Sequence, residues 1–293
     1  MKISIITVCF NSEETIVSTL NSVLSQTYHD IEHIIIDGGS TDRTSDILHQ
    51  YNFKNKLIVS EPDDGIYDAM NKGIKIAKGD IITILNSDDI YQSPSTISEV
   101  MKDVVDNPEK DIFLGDVVFF NKNNFNKIFR YYSAKNFQSN LLLDGIMPPH
   151  PSSFIKKKIY NNFGLYKKSL SIAADFEMFL RLFIVNKLDF FYTNKVIVRM
   201  RSGGKSGKNL KTYFTSTNEI VKAFRINNLK TKYLVILARL PLKFSQFFFS
   251  STLNLKPRFE LPDQKFKYQQ DEEFKILKSI EKIKIKSNFI LSG

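Results

Sequence analysis

An α/β fold with a mostly parallel central sheet, followed by a basic and mainly helical C-terminal extension, is what this sequence predicts. Three observations predict it. Short β-branched runs recur through the first 120 residues, segments of helical spacing lie between them, and polar clusters follow each run directly. Alternation at that spacing puts helices on the faces of a parallel sheet.

Residues 3–8, 31–36, 57–59 and 81–85 are the strand candidates, each too short for a helix and bounded by polar or glycine punctuation. The first has one lysine and no long apolar stretch or small-residue cleavage site, so it reads as a buried strand and not as a leader. Between the strands, Ile16, Leu20, Val23 and Leu24 share one helical face. Ile66, Ala69, Met70, Gly73, Ile74 and Ala77 share a cleaner one. From Asp116 the pattern changes to a hairpin, residues 117–120 and 128–132 around an Asn/Lys-rich turn. A helix over 175–186 follows, with Phe176, Phe179, Leu180 and Phe183 on one face, and then an apolar strand over 190–198.

Composition excludes several classes. With 42% hydrophobic residues, 25 Phe and 12 Tyr, the chain can bury a core and is not a disordered polyelectrolyte. A single cysteine, Cys9, permits no internal disulfide and no cysteine-rich zinc site, and it suits a reducing compartment. No run approaches the roughly 20 apolar residues a spanning helix needs. The formal charge of +10 is not evenly spread: residues 1–204 carry 23 Lys+Arg against 24 Asp+Glu, and residues 205–293 carry 18 against 7. A nucleic-acid enzyme would line its motif-rich region with that charge, so no nucleic-acid partner is expected.

Ligands bind such sheets at the carboxyl ends of the strands. There the sequence puts Cys9-Phe10-Asn11-Ser12, Asp37-Gly38-Gly39-Ser40-Thr41-Asp42, Glu61-Pro62-Asp63-Asp64-Gly65 and Asn86-Ser87-Asp88-Asp89. Three of the four loops are acidic. Adjacent carboxylates suit a hard divalent cation that also holds a diphosphate. Each loop has a plainer reading as a turn or helix cap, but no single one covers all three.

Residues 3–11, Gln26-Thr27-Tyr28 and Ile36-Asp37-Gly38-Gly39-Ser40-Thr41-Asp42 resemble the nucleotide-binding half of the family 2 glycosyltransferases of GT-A fold. The run from Glu61 to Gly73 and Leu85-Asn86-Ser87-Asp88-Asp89 are similar to members associated with O-antigen, lipopolysaccharide and other bacterial surface polysaccharides. The resemblance covers about the first 205 residues. It implies a Rossmann-like catalytic domain with a nucleotide-sugar half over 1–115, an acceptor half over 116–204, and the basic extension over 205–293.

On matching positions the resemblance implies that Asp37 accepts from a uracil ring with Val8 supplying backbone contacts beside it. Asp63, Asn71 and Lys72 would frame base and phosphates, Asp88 would sit near the ribose, and Asp89 would coordinate Mn²⁺ or Mg²⁺ on the diphosphate. Position 64 is Asp where the family frequently has Lys. Inverting transfer needs a base for the acceptor hydroxyl, and Ala174-Asp175-Phe176-Glu177 matches the family's acidic motif at that station, with Asp175 as the base. Residues i and i+2 point to different helix faces, so Glu177 becomes a solvated or helix-pairing carboxylate. His150, between two prolines, either contacts the acceptor side or holds a loop. Gly203-Gly204-Lys205-Ser206 is not a phosphate loop, since the position five before Gly204 is Arg199; the resemblance makes Gly204 part of a loop closing on the donor phosphates.

The expected activity is metal-dependent transfer from a nucleotide sugar, UDP-linked, to a lipid-linked glycan. A sugar-nucleotide nucleotidyltransferase would carry a Gly-rich basic loop after the first strand, a dinucleotide oxidoreductase a G-x-G-x-x-G there, and Cys9-Phe10-Asn11-Ser12 is neither. A non-catalytic protein of the same fold would be expected to lose the metal or base carboxylate. The Phe-rich basic extension suits the headgroup region of an anionic membrane, which gives a cytoplasmic protein peripheral to the inner face of the cell membrane.

Overall fold

Strand β1 (Ile3–Cys9) is buried along its whole length, because helices cover both faces of the sheet around it. It pairs in parallel with β2 (Ile31–Asp37) on one side and β4 (Ile81–Ile84) on the other, and β2 pairs in parallel with β3 (Lys56–Ser60). Beyond β4 the sheet is mixed. There β8 (Ser153–Lys156) is antiparallel to both β4 and β6 (Ile112–Asn121), and β6 is antiparallel to β7 (Asn124–Tyr132) and parallel to β9 (Phe191–Arg201). A three-residue strand, β5 (Asp89–Tyr91), closes the order β3-β2-β1-β4-β8-β6-β9-β5 against the end of β9. The α/β class is as expected, with the parallel character concentrated in the first four strands.

These elements come from a computed structural model that describes residues 1–121, 124–201, 210–231 and 236. All of them fall within one compact unit, Met1–Phe249. Gly204 and most of residues 232–293, including the Phe-rich stretch expected to meet a membrane, lie outside the described residues.

Strand alternation sends neighbouring side chains into two cores. Ile6, Val8, Ile34 and Ile36 pack with α3 (Ile66–Ile76) and α6 (Ala174–Phe179), while Ile3, Ile5 and Ile31 pack with α4 (Thr96–Asp106). The remaining early helices are α1 (Ile16–Leu24) and α2 (Thr44–Gln50), and α5 (Lys157–Phe163) follows β8. α3 approaches β1 closely: a Cβ at Gly73 would stand 2.5 Å from Ile6 Cγ2.

The helix expected over 175–186 is α6 continued by a π-helical segment, Leu180–Val185, in which the Asn186 N–H reaches back to the Arg181 carbonyl at 3.0 Å. The final described helix, α7 (Leu210–Ile226), buries Ile220, Ala223 and Phe224, with the Phe224 ring 6.0 Å from Phe176. Helix α7 thus packs within the same compact unit as the elements before it.

Candidate active site

The loops after β1, β2 and β4 are tied to one another, which fixes one edge of the sheet as the site. Asn11, at φ 48°, donates its N–H to Ser40 Oγ at 2.8 Å and accepts the Thr41 N–H on Oδ1 at 2.8 Å. Positive φ is tolerated by Asn better than by most residues. Ser12 Oγ lies 2.9 Å from Ser87 Oγ, joining the first loop to the Asn86-Ser87-Asp88-Asp89 loop.

Asp37 ends β2 with its carboxylate fully buried. It accepts the Ser40 N–H at 3.2 Å, the Ser40 hydroxyl, and the Ser60 hydroxyl at 2.6 Å. So engaged, Asp37 organises the loop of residues 38–42. Asp63 packs on that loop: a Cβ at Gly38 would collide with its carboxylate, whose Oδ1 accepts the Gly65 N–H at 2.8 Å. Val8 is a core residue of β1 in register with Ile36. Between two residues bonded to the 38–40 backbone or side chains, Phe10 leaves its ring 52% exposed.

The paired acids diverge. Asp88 is half-buried in the loop, while Asp89 opens β5 with 1% of its surface exposed. Burial, then the Asp88 charge, push the Asp89 carboxyl well above the ordinary carboxylate range; Asn86 and Arg201 act the other way. Asn86 Nδ2 donates to Asp89 Oδ2 at 3.2 Å, and Asn86 Oδ1 is a buried acceptor without a hydrogen-bond partner. Two adjacent carboxylates in mutual repulsion beside an orphaned amide oxygen are a hard-donor set that fits Mn²⁺ or Mg²⁺. Among the described residues no cluster of three or more His, Cys, Asp or Glu could hold a metal by itself. The remaining positions would fall to other oxygen donors such as a diphosphate.

On α3, Asn71 is buried with its amide bonded to the Tyr166 backbone: Nδ2 donates to the carbonyl at 2.9 Å and Oδ1 accepts the N–H at 3.0 Å. It clamps α3 to the segment that carries Tyr166. Lys72 bridges Glu61 at 2.8 Å and donates to the Pro62 carbonyl at 2.8 Å, so it holds the loop that carries Asp63. Asp64, the departure from the family pattern, pairs with Lys168 at 2.8 Å.

Asp175 lies half-buried in the first turn of α6. Its Oδ1 accepts the Phe176 N–H at 2.7 Å and faces the Tyr67 hydroxyl at 3.2 Å; that hydroxyl also donates to the Ile172 carbonyl at 2.7 Å. Burial raises the Asp175 carboxyl above its ordinary value, against the lowering effects of His150, the Phe176 N–H and Tyr67. His150 is buried, with Nε2 2.6 Å from the Tyr166 hydroxyl and its ring against Tyr166 and Phe179. Burial holds its imidazole below the ordinary value, with the Asp175 charge opposing. It is a member of an aromatic cluster close to Asp175.

Glu177 points away from Asp175, as i,i+2 geometry requires, but it is not solvated. It is fully buried, paired through both oxygens with Arg181 at 3.1 Å and bonded to Asn227 Nδ2 at 3.1 Å. Four residues with site-facing chemistry went unassigned in the sequence: Phe10, Tyr67, Asn86 and Arg201. Tyr67 and Asn86 sat inside motifs whose acids drew the attention. Arg201 reaches Asp89 through the β5–β9 pairing, which no local pattern announces.

A mixed α/β sheet with acidic loops at the carboxyl ends of its parallel strands is the arrangement of a GT-A type domain. Residues 4–166 match the Glycosyl transferase family 2 model, and the chain belongs to that family. It is 29% identical over 204 residues to a PGL/p-HBAD biosynthesis glycosyltransferase of Mycobacterium bovis, covering 69% of this chain and 77% of the relative. It is also 26% identical over 219 residues to the glycosyltransferase GlyG of Streptococcus pneumoniae, covering 69% and 71%. Among solved structures, Staphylococcus aureus TarS residues 1–349 in complex with UDP-GlcNAc matches with a TM-score of 0.58 at 19% identity, over 90% of this chain and 78% of that one. The mannosyltransferase PcManGT of Pyrobaculum calidifontis, in complex with GDP-Man and Mn²⁺, matches at 0.56 and 15%, over 86% and 72%. The protein is thus a glycosyltransferase. Among the described residues no helix is long and apolar enough to cross a membrane.

Proposed function

We propose that the protein is an inverting, metal-dependent glycosyltransferase that uses a UDP-sugar to extend a lipid-linked glycan in bacterial surface polysaccharide synthesis. The observation that carries the catalytic part is Asp175: a half-buried carboxylate with raised basicity, bonded to a tyrosine of the helix that follows the Asp63 loop. The donor nucleotide lies along the strand-end loops, with the base against Phe10 and the loop that Asp37 organises. Asp63 and Lys72 shape the neighbouring wall.

Asp88, Asp89 and Asn86 would hold the divalent cation, which when bound would supply Lewis-acid stabilisation of the departing nucleoside diphosphate. Asp175 takes the proton from the acceptor hydroxyl as that oxygen attacks the anomeric carbon from the face opposite the diphosphate. Tyr67 fixes the carboxylate that does so, and buried His150 keeps its surroundings dry. The UDP preference draws support from the TarS complexes with UDP and UDP-GlcNAc, and the metal from the Mn²⁺ of the mannosyltransferase complex.

The acceptor and the location rest on charge and on relatives. The excess of lysine over acid beyond residue 204 suits an anionic bilayer where a lipid-linked acceptor resides. A screen of nucleotide sugars for Mn²⁺-dependent thermal stabilisation and nucleotide release tests the donor reading, with a UDP-sugar expected to win; stabilisation by GDP- or dTDP-sugars alone would overturn it. Sedimentation with anionic liposomes, with and without residues after 228, tests the membrane reading. Equal sedimentation of the two forms would remove it.

A further inference from the structure

Helix α7 lies beyond the residues that match the family model, yet one of its side chains grips the segment that leads into Asp175. Glu219 Oε1 accepts the Ser171 N–H at 2.8 Å and the Ser171 hydroxyl at 2.6 Å. Its Oε2 accepts the Ile172 N–H at 2.7 Å and the Ala173 N–H at 3.0 Å. Three consecutive backbone donors and a hydroxyl thus converge on one carboxylate. Burial opposes its charge, but the Ser171 hydroxyl and the three N–H groups hold it below the ordinary glutamate value, so it is ionised at neutral pH.

Ala173 is the N-cap of α6 and Ser171 and Ile172 precede it, so these N–H groups belong to the segment that leads into the helix. Glu219 holds that segment from 46 to 48 residues away in sequence. The same segment is held from the opposite side by the Tyr67 hydroxyl on the Ile172 carbonyl at 2.7 Å. Ile172 therefore has its N–H fixed by α7 and its C=O fixed by α3, three residues before the base.

We propose that Glu219 is a positioning residue for glycosyl transfer: it locks residues 171–173 so that Asp175 is presented in one orientation. This rests on the reading of Asp175 as the base. Charge-assisted bonds to backbone N–H groups are about twice as strong as neutral ones, and small displacements of a reacting group are costly in rate. Glutamine cannot reproduce the arrangement, since its NH₂ would face two N–H donors. Aspartate keeps the acceptors but is one methylene shorter.

The test uses the full chain as wild type, Glu219→Gln, Glu219→Asp, Asp175→Asn and the Glu219→Gln/Asp175→Asn double variant. Hydrogen exchange is followed on residues 166–180, UDP binding is measured with Mn²⁺, and UDP release is followed from a mixture of UDP-glucose, UDP-galactose and UDP-N-acetylglucosamine. Glu219→Gln should lose at least about tenfold protection at residues 171–173 and about tenfold in turnover, with UDP affinity within about twofold of wild type, and Glu219→Asp should recover part of both. The double variant should be no slower than Asp175→Asn alone, because the glutamate acts through the aspartate. Unchanged turnover in Glu219→Gln, or a loss that adds fully to that of Asp175→Asn, would overturn the proposal. Wild-type turnover in Asp175→Asn would instead remove the base reading, and the exchange data would still report whether Glu219 holds the segment.

Discussion

The hydroxyl of Tyr67 stands 3.2 Å from Asp175 Oδ1 and 2.7 Å from the Ile172 carbonyl, so a tyrosine of α3 touches both Asp175 and the backbone leading to it. The helix that follows the Asp63 loop is thereby tied to the start of α6. Tyr67 and Tyr166 also stack, with centroids 5.6 Å apart, and Tyr166 is the residue whose backbone Asn71 clamps. The clamp by Asn71 thus serves geometry on the acceptor side, although its motif belongs to the donor side.

Removing the base and removing its neighbour should have different signatures. Asp175→Asn should lower kcat by about 10²–10⁴-fold, the usual contribution of a general base, with UDP affinity little changed. Tyr67→Phe should cost less in kcat but move the acid limb of the pH–rate profile. Tyr67 lowers the Asp175 pKa, so its loss raises that pKa, and activity should begin to fall at a higher pH than in wild type. A profile for Tyr67→Phe that superimposes on wild type would contradict the coupling.

Asp89 carries the opposite kind of linkage to a salt-bridged acid. Its pKa is raised in the folded state, so the native protein binds more protons than the unfolded chain above the ordinary carboxylate value, and stability falls as pH rises from there towards the raised value. Without metal, Asp89→Asn should therefore melt at or above the wild-type temperature at neutral pH. With Mn²⁺ and UDP the order should reverse, because the wild type gains stability from the complex and the variant does not. Calorimetric melts with and without Mn²⁺ and UDP decide it; equal stabilisation of both proteins would exclude Asp89 from the metal site.

The first half of the fold was legible because its strands are continuous β-branched runs and its loops are polar, two signals that do not interfere. The two-core packing of Ile5 and Ile6 follows from the same alternation. Less legible were β8, four residues including Ser153 and Lys156, and β5, three residues including an aspartate, since their strand character comes from partners distant in sequence. That is also why Asp89 read as an open ligand: nothing local says that pairing with β9 draws it to 1% exposure beside Arg201. Glu177 was legible as a helix-pairing carboxylate, which its i,i+4 pair with Arg181 makes it, but not in its full burial, because the Asn227 that completes its bonding comes from just beyond α7.

The Glu177–Arg181 pair should matter for stability and not for chemistry. Arg181 also donates to the carbonyls of Phe163, Gly164 at 2.9 Å and Leu165 at 2.8 Å, so the pair ties α6 to the segment after α5. Glu177→Ala leaves a buried guanidinium without its counter-charge, which costs about 3–5 kcal/mol. Denaturant melts should show that loss. Turnover per folded molecule should stay within about threefold of wild type, and a loss as large as that of Asp175→Asn would mean that Glu177 takes part in the reaction.

Phe10 offers the converse case. A ring 52% exposed contributes little to folding, so Phe10→Ala should leave the melting temperature within about a degree or two. If the nucleobase lies against it, lost stacking worth about 1–3 kcal/mol should raise the donor KM and the Kd for UDP by roughly five- to a hundredfold. Stacking on the base is made equally in ground and transition states, so kcat should hold while KM rises. Phe10→Tyr keeps the ring face and should restore affinity. Unchanged UDP binding in Phe10→Ala would move the base away from the first loop, and the Asp37-organised turn would then have to carry base recognition without an aromatic platform.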